Sequence, residues 1–296
     1  MASSTTNVKM GVCRIRYGGR DLGYTKGGVE FSVTTETHKV MIDQFGNSEV
    51  NEIIMGRSAK ATIPLAETTL DNLVKVMPGA SLYSDGAKAV GSITFTTNPA
   101  NAATVTVGPV GSSVAFTFKT APVAGNVRDV LIGASASASV ANLLLALQSS
   151  SDTTVSACDY SATSPLVIGA TYGARGIAGN SFVVATTVAS ATVITPIGGT
   201  ASTKDVVSVT RAVGTSLLDI AKELVLHPIS AADNDYSQDV VLPKTAAAGA
   251  LSFAFKVDQE RTYNIEFNAY PDTTNNNVLF QLGDKTATTT GTLQTN

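Results

Sequence analysis

Charge is scarce in this 296-residue chain: 15% of its residues are Asp, Glu, Lys or Arg, against about 25% in an ordinary soluble domain. The signs nearly cancel, 20 basic against 23 acidic with a net charge of −3. That excludes the basic stripe with which proteins grip nucleic acid. Tryptophan is absent and aromatics make up only 6%, leaving few platforms for stacking against sugars. Cys13 and Cys158 are too few for a disulfide framework or a cysteine-rich metal site and read as free structural thiols. The longest apolar stretch, Val140–Leu147, is interrupted by Asn142 and falls far short of the ~20 residues a membrane helix needs. Met1–Met10 shows no basic-then-apolar pattern, so synthesis without a secretory leader is expected.

Catalytic motifs are missing too. No G-x-S-x-G, Walker or G-x-G-x-x-G pattern occurs. The two histidines are His38, expected in a loop, and His227, expected at the end of an element before Pro228. Neither has a cysteine or carboxylate at metal-ligand spacing in sequence, so both read as structural or solvated. The stretch from Asp233 to Asp239 copies the alternating oxygens of a calcium loop. Gln238 stands where such a loop needs glycine, however, and Lys244 stands where it needs a closing glutamate. It reads as a polar loop. The expectation is a protein that is not an enzyme and carries neither cofactor nor metal.

What fills the chain is Ala, Thr, Ser, Val and Gly, and the β-branched share points to a mainly β protein. Charge is distributed unevenly. Residues 90–203 carry six charged side chains (Lys119, Arg128, Asp129, Asp152, Asp159 and Arg175), whereas the remaining 182 residues carry 37. Such a step reads as a domain inserted at 90–203 into a discontinuous host formed by 1–89 and 204–296.

Alternation predicts host strands over Gly11–Tyr17, Val29–Thr37, Gly56–Glu67, Val206–Val213, Leu251–Asp258 and Arg261–Tyr270. Leu217–His227 is ambiguous between helix and strand. Leu70, Leu73, Val74 and Met77 recur at helical spacing before Pro78-Gly79, predicting a short helix. The 90–203 segment predicts a small α+β module. Its short strands lie near 92–97, 103–107, 114–119, 166–170, 181–187 and 192–195, and its helix spans Ala136–Gln148.

With the insertion set aside, the flanks resemble phage tail tube (major tail) proteins. The resemblance rests on the strand Gly28–Thr37 followed by the loop Lys39–Gly46, then Ile53–Gly56, the strand Ala61–Glu67 and the helix ending Met77-Pro78-Gly79. The second flank adds Leu224–Pro228, Leu242–Lys244, Arg261–Tyr263, Phe267–Asp272, Leu279-Phe280 and Gly283-Asp284. It covers roughly residues 10–86 and 204–284. The insertion is similar, more weakly, to the Thr/Ala/Gly-rich domains that decorate phage structural proteins.

The resemblance implies a β-sandwich or barrel-like subunit that assembles into stacked, hexameric rings around a lumen, in a virion tail made in the host cytoplasm. It further implies contacts with other tail proteins at the tube ends, a tape-measure protein in the lumen and transient passage of double-stranded DNA. A long loop would pack onto the adjacent ring, and the apolar stretch between Thr37 and Gly56 supplies its candidates: Met41, Ile42, Asp43, Gln44, Phe45, Gly46, Ile53 and Ile54. The lumen candidates are the polar strand positions Glu30, Ser32, Thr34, Glu36, Ser58, Lys60, Thr62, Asn264, Glu266 and Asn268. The insertion is expected to point outward, where a contractile sheath would have to slide, so a non-contractile tail is expected. The competing reading is a secreted or surface adhesin or carbohydrate-binding β module, which would need a leader and sugar-stacking aromatics.

Overall fold

The computed structural model of the chain describes residues 11–287 apart from 46, 47, 68, 124, 254, 256, 259 and 286. The host flanks provide strands β1 (Cys13–Tyr17), β2 (Arg20–Asp21), β3 (Glu30–Met41) and β4 (Glu49–Leu65), then helix α1 (Leu70–Val76) and strand β5 (Ala80–Ser84). The central segment forms β6 (Lys88–Phe95), β7 (Thr104–Pro109), β8 (Val114–Lys119), β9 (Asp129–Leu131), α2 (Ala136–Ser149), β10 (Cys158–Ser164), β11 (Val167–Arg175), β12 (Phe182–Thr186) and β13 (Ala191–Ile197). The chain then returns through β14 (Asp205–Val209), β15 (Lys222–Pro228), β16 (Val240–Ala247), β17 (Tyr263–Ala269) and β18 (Gln281–Leu282). The protein is mainly β, and no described helix is long and apolar enough to cross a membrane.

The flanks build one eight-stranded sheet in the order β2-β1-β15-β16-β17-β4-β3, with β18 added on β16. It is open, with β2 and β3 at its edges, so the barrel-like alternative gives way to a sheet that does not close within one chain. Every second residue of the central strands points to one face, where Ile63, Leu65, Leu224, Leu242, Ile265 and Phe267 are buried. Tyr17 packs on Phe267 with ring centroids 4.9 Å apart. Helix α1 covers this face with Val76 and Leu73. Its first turn is capped by Thr69, whose hydroxyl accepts the Asn72 N–H at 3.2 Å.

Residues 88–197 form two four-stranded sheets, β10-β11-β6-β13 and β12-β7-β8-β9. With α2 they enclose a separate core around Phe95, Phe116, Phe118, Leu143 and Phe182. The two cores share no buried residue: one draws on residues 93–188, the other on 15–76 and 224–267. The chain crosses between them twice, side by side, because β5 and β14 pair antiparallel with Ser84 opposite Asp205. The Asp85 carboxylate ties the top of this ribbon. It accepts the Thr203 hydroxyl at 2.5 Å and the Thr203 and Lys204 amides at 2.9 Å, and these bonds hold it well below the usual carboxylate range. Gly86 is needed there: a Cβ would stand 2.7 Å from the Ser202 backbone nitrogen.

Two expectations are corrected here. Residues 37–56 are not a loop: β3 continues to Met41, a 3-10 turn covers Asp43–Phe45 and β4 begins at Glu49, so the segment is a β-hairpin and His38 lies in a strand. Leu251–Asp258 alternates in sequence, but its described residues join no strand. Of the ambiguous Leu217–His227, the residues from Lys222 onward belong to β15, and those before it form a turn.

Candidate assembly surfaces

The hairpin of β3 and β4 is far longer than the sheet needs. At its base Phe31 pairs with Ala61 over the core, and the exposed Val33 pairs with Ala59 at its margin. Beyond that, residues 49–58 of β4 are exposed or half-exposed and run about 30 Å at strand rise. The register slips by one between Glu36 and Thr37, leaving Met55 as the extra residue of a β4 bulge that adds twist to the arm. The polar side chains of the arm satisfy one another: the Thr37 hydroxyl donates to Glu52 at 2.5 Å, and Lys39 bonds Glu49 at 2.7 Å. Its apolar side chains are left uncovered by the described residues. Met41, Ile42, Val50, Ile53, Ile54 and Met55 are all exposed, Ile54 by 58% and Met55 by 69%. Met41, Ile42, Asp43, Gln44, Ile53 and Ile54 thus share one arm, joined by the backbone of Phe45. Gly46, the Phe45 side chain and the polar tail from 288 onward lie outside the described residues.

The lumen candidates converge on one sheet face. Glu30 and Glu266 both stand opposite Thr62, Ser32 and Asn268 both stand opposite Lys60, and Thr34 stands opposite Ser58. Cross-strand partners share a face, so Glu30, Ser32, Thr34, Lys60, Asn264, Glu266 and Asn268 line the side opposite the core. Glu36 extends the row onto the arm. Lys60 bonds Glu266 at 3.0 Å, with both half exposed, which leaves Glu30 and Glu36 as the charges of the row without an ion pair among the described residues.

At the other edge the sheet is covered by the central segment, through contacts that sequence reading did not reveal. Arg16, buried in β1, donates to the Gln148 and Ser149 carbonyls at 2.7 and 3.1 Å. These are last-turn acceptors of α2 that have no partner within the helix, and a guanidinium also suits the negative end of its dipole. Arg14 reaches the Ser151 carbonyl and Asp233, each at 2.9 Å. Asp159 receives Lys75 at 2.6 Å and Arg20 at 3.1 Å, and Asp71 receives Arg175 at 2.6 Å and Lys88 at 2.7 Å. Burial works to raise both carboxylates, but their cation pairs prevail and hold them below the usual range. Lys75 goes the other way: burial, reinforced by neighbouring Arg20, brings it down to about 8 despite Asp159. Two of the six charges in the insertion are therefore spent on the host. Arg128 and Asp152 pair with each other at 3.1 Å.

His227 is not solvated, and it does have a carboxylate partner. Its Nδ1 lies 2.7 Å from Asp239, both almost fully buried, and burial pushes that carboxyl up against the pull of the imidazole. Twelve residues separate them, but the turn between β15 and β16 brings them together. The pair takes Asp239 out of the calcium-like stretch, and Asp233 goes to Arg14. Among the described residues no group of three or more His, Cys, Asp or Glu converges to hold a metal. Cys158 is free and buried, its thiol pushed up to about 12 by burial, which suits an inert core thiol. Comparison with known proteins finds no family model that matches the chain and no curated protein similar to it.

Proposed function

We propose that the chain is the structural subunit of a phage tail tube, polymerising as stacked, hexameric rings whose lumen passes DNA. The observation that carries this reading is the uncovered apolar arm. A monomer gains nothing by holding six aliphatic and thioether side chains in water on a 30 Å hairpin, and each 100 Å² of that surface covered by a neighbour contributes about 2.5 kcal/mol. The β3 edge supports the same reading, because the opposite edge is already covered by the chain itself and this one can be covered only by another copy. The polar row fits the lumen wall: Glu30 and Glu36 repel phosphate, and the neutral hydroxyls and amides beside them add no positive charge to hold DNA. The central segment, clamped at the opposite edge from the arm, would stand on the outside of the ring and leave no room for a contractile sheath.

Negative-stain microscopy of the purified chain tests this directly. Rings or tubes are expected, and isolated globules at every concentration would sink the proposal and favour an adhesin-like module. Deleting residues 41–51 should give a folded subunit that does not polymerise. If Glu36→Lys with Glu266→Lys changes neither DNA ejection nor its salt dependence, the polar face does not line the lumen.

A further inference from the structure

The two ends of β17 carry features that match one another but cannot meet within one chain. Before its first residue lies an aromatic knob. Phe253 and Phe255 pack edge to face at 5.6 Å, Phe253 leans on Tyr263 at 4.8 Å, and the Arg261 guanidinium rests 4.3 Å from the Phe255 ring centre. Phe255 is nonetheless 78% exposed and Val257 wholly so. Exposed aromatics held in place by an arginine are the composition of residues that dominate binding energy at interfaces. Glu260 is paired with Lys26, whereas the exposed Asp258 has no ion pair among the described residues.

Past the last residue of β17 lies a groove of about 540 Å³, lined by Ile54, Arg57, Pro271, Val278, Leu279 and Phe280. That is within the range of pockets that take in a sizeable apolar group, about 300–1,000 Å³. Its wall is built rather than loose. Asp272 bridges Val278 across the turn and bonds Lys244 at 3.2 Å, and Phe280 packs edge-on against Phe31 at 5.3 Å. Arg57 is exposed at the rim. Its Nε donates to the Thr35 hydroxyl at 3.3 Å, and no described carboxylate pairs with it.

Knob and groove are separated by the seven residues of β17, about 24 Å at strand rise. A second copy displaced along the strand brings one to the other. Because the two surfaces differ, the contact is head-to-tail, and because it displaces each copy along the strand it repeats as an open polymer and does not close into a ring. We propose that Phe253 and Phe255 of one copy seat in the groove of the next, with Asp258 against its Arg57. This deepens the tube reading and rests on it: it names a second axial contact beside the arm.

The test uses the full chain, with polymer growth followed by sedimentation and microscopy. Phe255→Ser should raise the concentration needed for polymer about thirtyfold, the usual scale for truncating a central aromatic. Arg57→Asp and Asp258→Arg should each raise it about five- to tenfold, and the two together should restore growth to near the starting value, as coupled interfacial charges do. All three positions are exposed, and unchanged circular dichroism will show that the fold survives. As a direct reading, Val257→Cys mixed with a variant carrying Asn277→Cys, a residue that also lines the groove, should form a cross-linked dimer. If the three single variants polymerise like the unaltered chain, or the double reversal rescues nothing, this contact does not exist although the tube reading stands. If the unaltered chain never polymerises, both fall together.

Discussion

The two edges of the eight-stranded sheet solve the same problem in opposite ways. An edge strand exposes unpaired backbone and invites partners. At β1 and β2 the chain covers its own edge, with Arg14, Arg16 and Arg20 reaching into the central segment and each meeting a carbonyl or a carboxylate. At β3 and β4 the edge is prolonged into an arm whose side chains are apolar and uncovered. Fixed charge is used where the partner is always present, since a buried ion needs its counterpart in place at all times. Apolar surface suits the partner proposed for the arm, which would arrive only on assembly, since it tolerates waiting in water and needs no exact geometry.

This contrast can be broken at either edge. The largest effect on melting is expected for Arg16→Ala, which leaves two helix-end carbonyls of α2 without their donor and opens a cavity; about 3–5 kcal/mol should be lost. Asp159→Ala comes next. It leaves Arg20 and Lys75 facing each other, but the site is about a quarter exposed, so about 1–3 kcal/mol is expected by chemical denaturation. Lys75→Met should cost less than about 1 kcal/mol, because burial already opposes that charge. A loss equal to that of Asp159→Ala would show the pair to be symmetric after all.

Acid sharpens the same comparison. The folded values of Asp71 and Asp159 are depressed. The stability they contribute is therefore fully present above the ordinary aspartate value, about 3.9, and is lost as the pH falls through their lowered values. Hydrogen exchange in α1 and β2 should rise in that acid range before exchange in the core strands does. Smallest of all on melting should be Met41→Ser with Met55→Ser, within about 0.5 kcal/mol as for exposed positions generally. Polymer growth should nevertheless weaken markedly, which a sedimentation series will show.

Strands with one buried face were plain in the sequence. Val114–Lys119 is β8 residue for residue, the alternation of Tyr263, Ile265 and Phe267 marks β17, and the Ala136–Gln148 helix is α2. The lumen candidates fell on a common face for the same reason, since burial of Phe31, Ala61 and Phe267 forces their neighbours to the other side. The arm was unreadable as strand because neither of its faces is buried within the chain, and alternation is a signature of burial, not of pairing. Leu251–Asp258 shows the converse, alternation with no partner strand. The pair of His227 and Asp239 left only a faint signal, a histidine directly after Leu224-Val-Leu in a run too apolar to be solvated. The clamp did leave a trace: in a segment with six charges in 114 residues, Asp159 and Arg175 had to have a reason to be there.

The paired ribbon of β5 and β14 also fixes an order of events during synthesis. Residues 88–197 are contiguous, with their own core, and can collapse as soon as they leave the ribosome. Strand β1 cannot do so: Tyr17 pairs with Leu224, which emerges about 10–40 s later at usual translation rates. The completed module then holds both ends of the unfinished sheet together, replacing a loop closure of more than a hundred residues with two adjacent strands. What looks like an ornament on the finished protein would be the first part to fold and the template on which the late strands find their register.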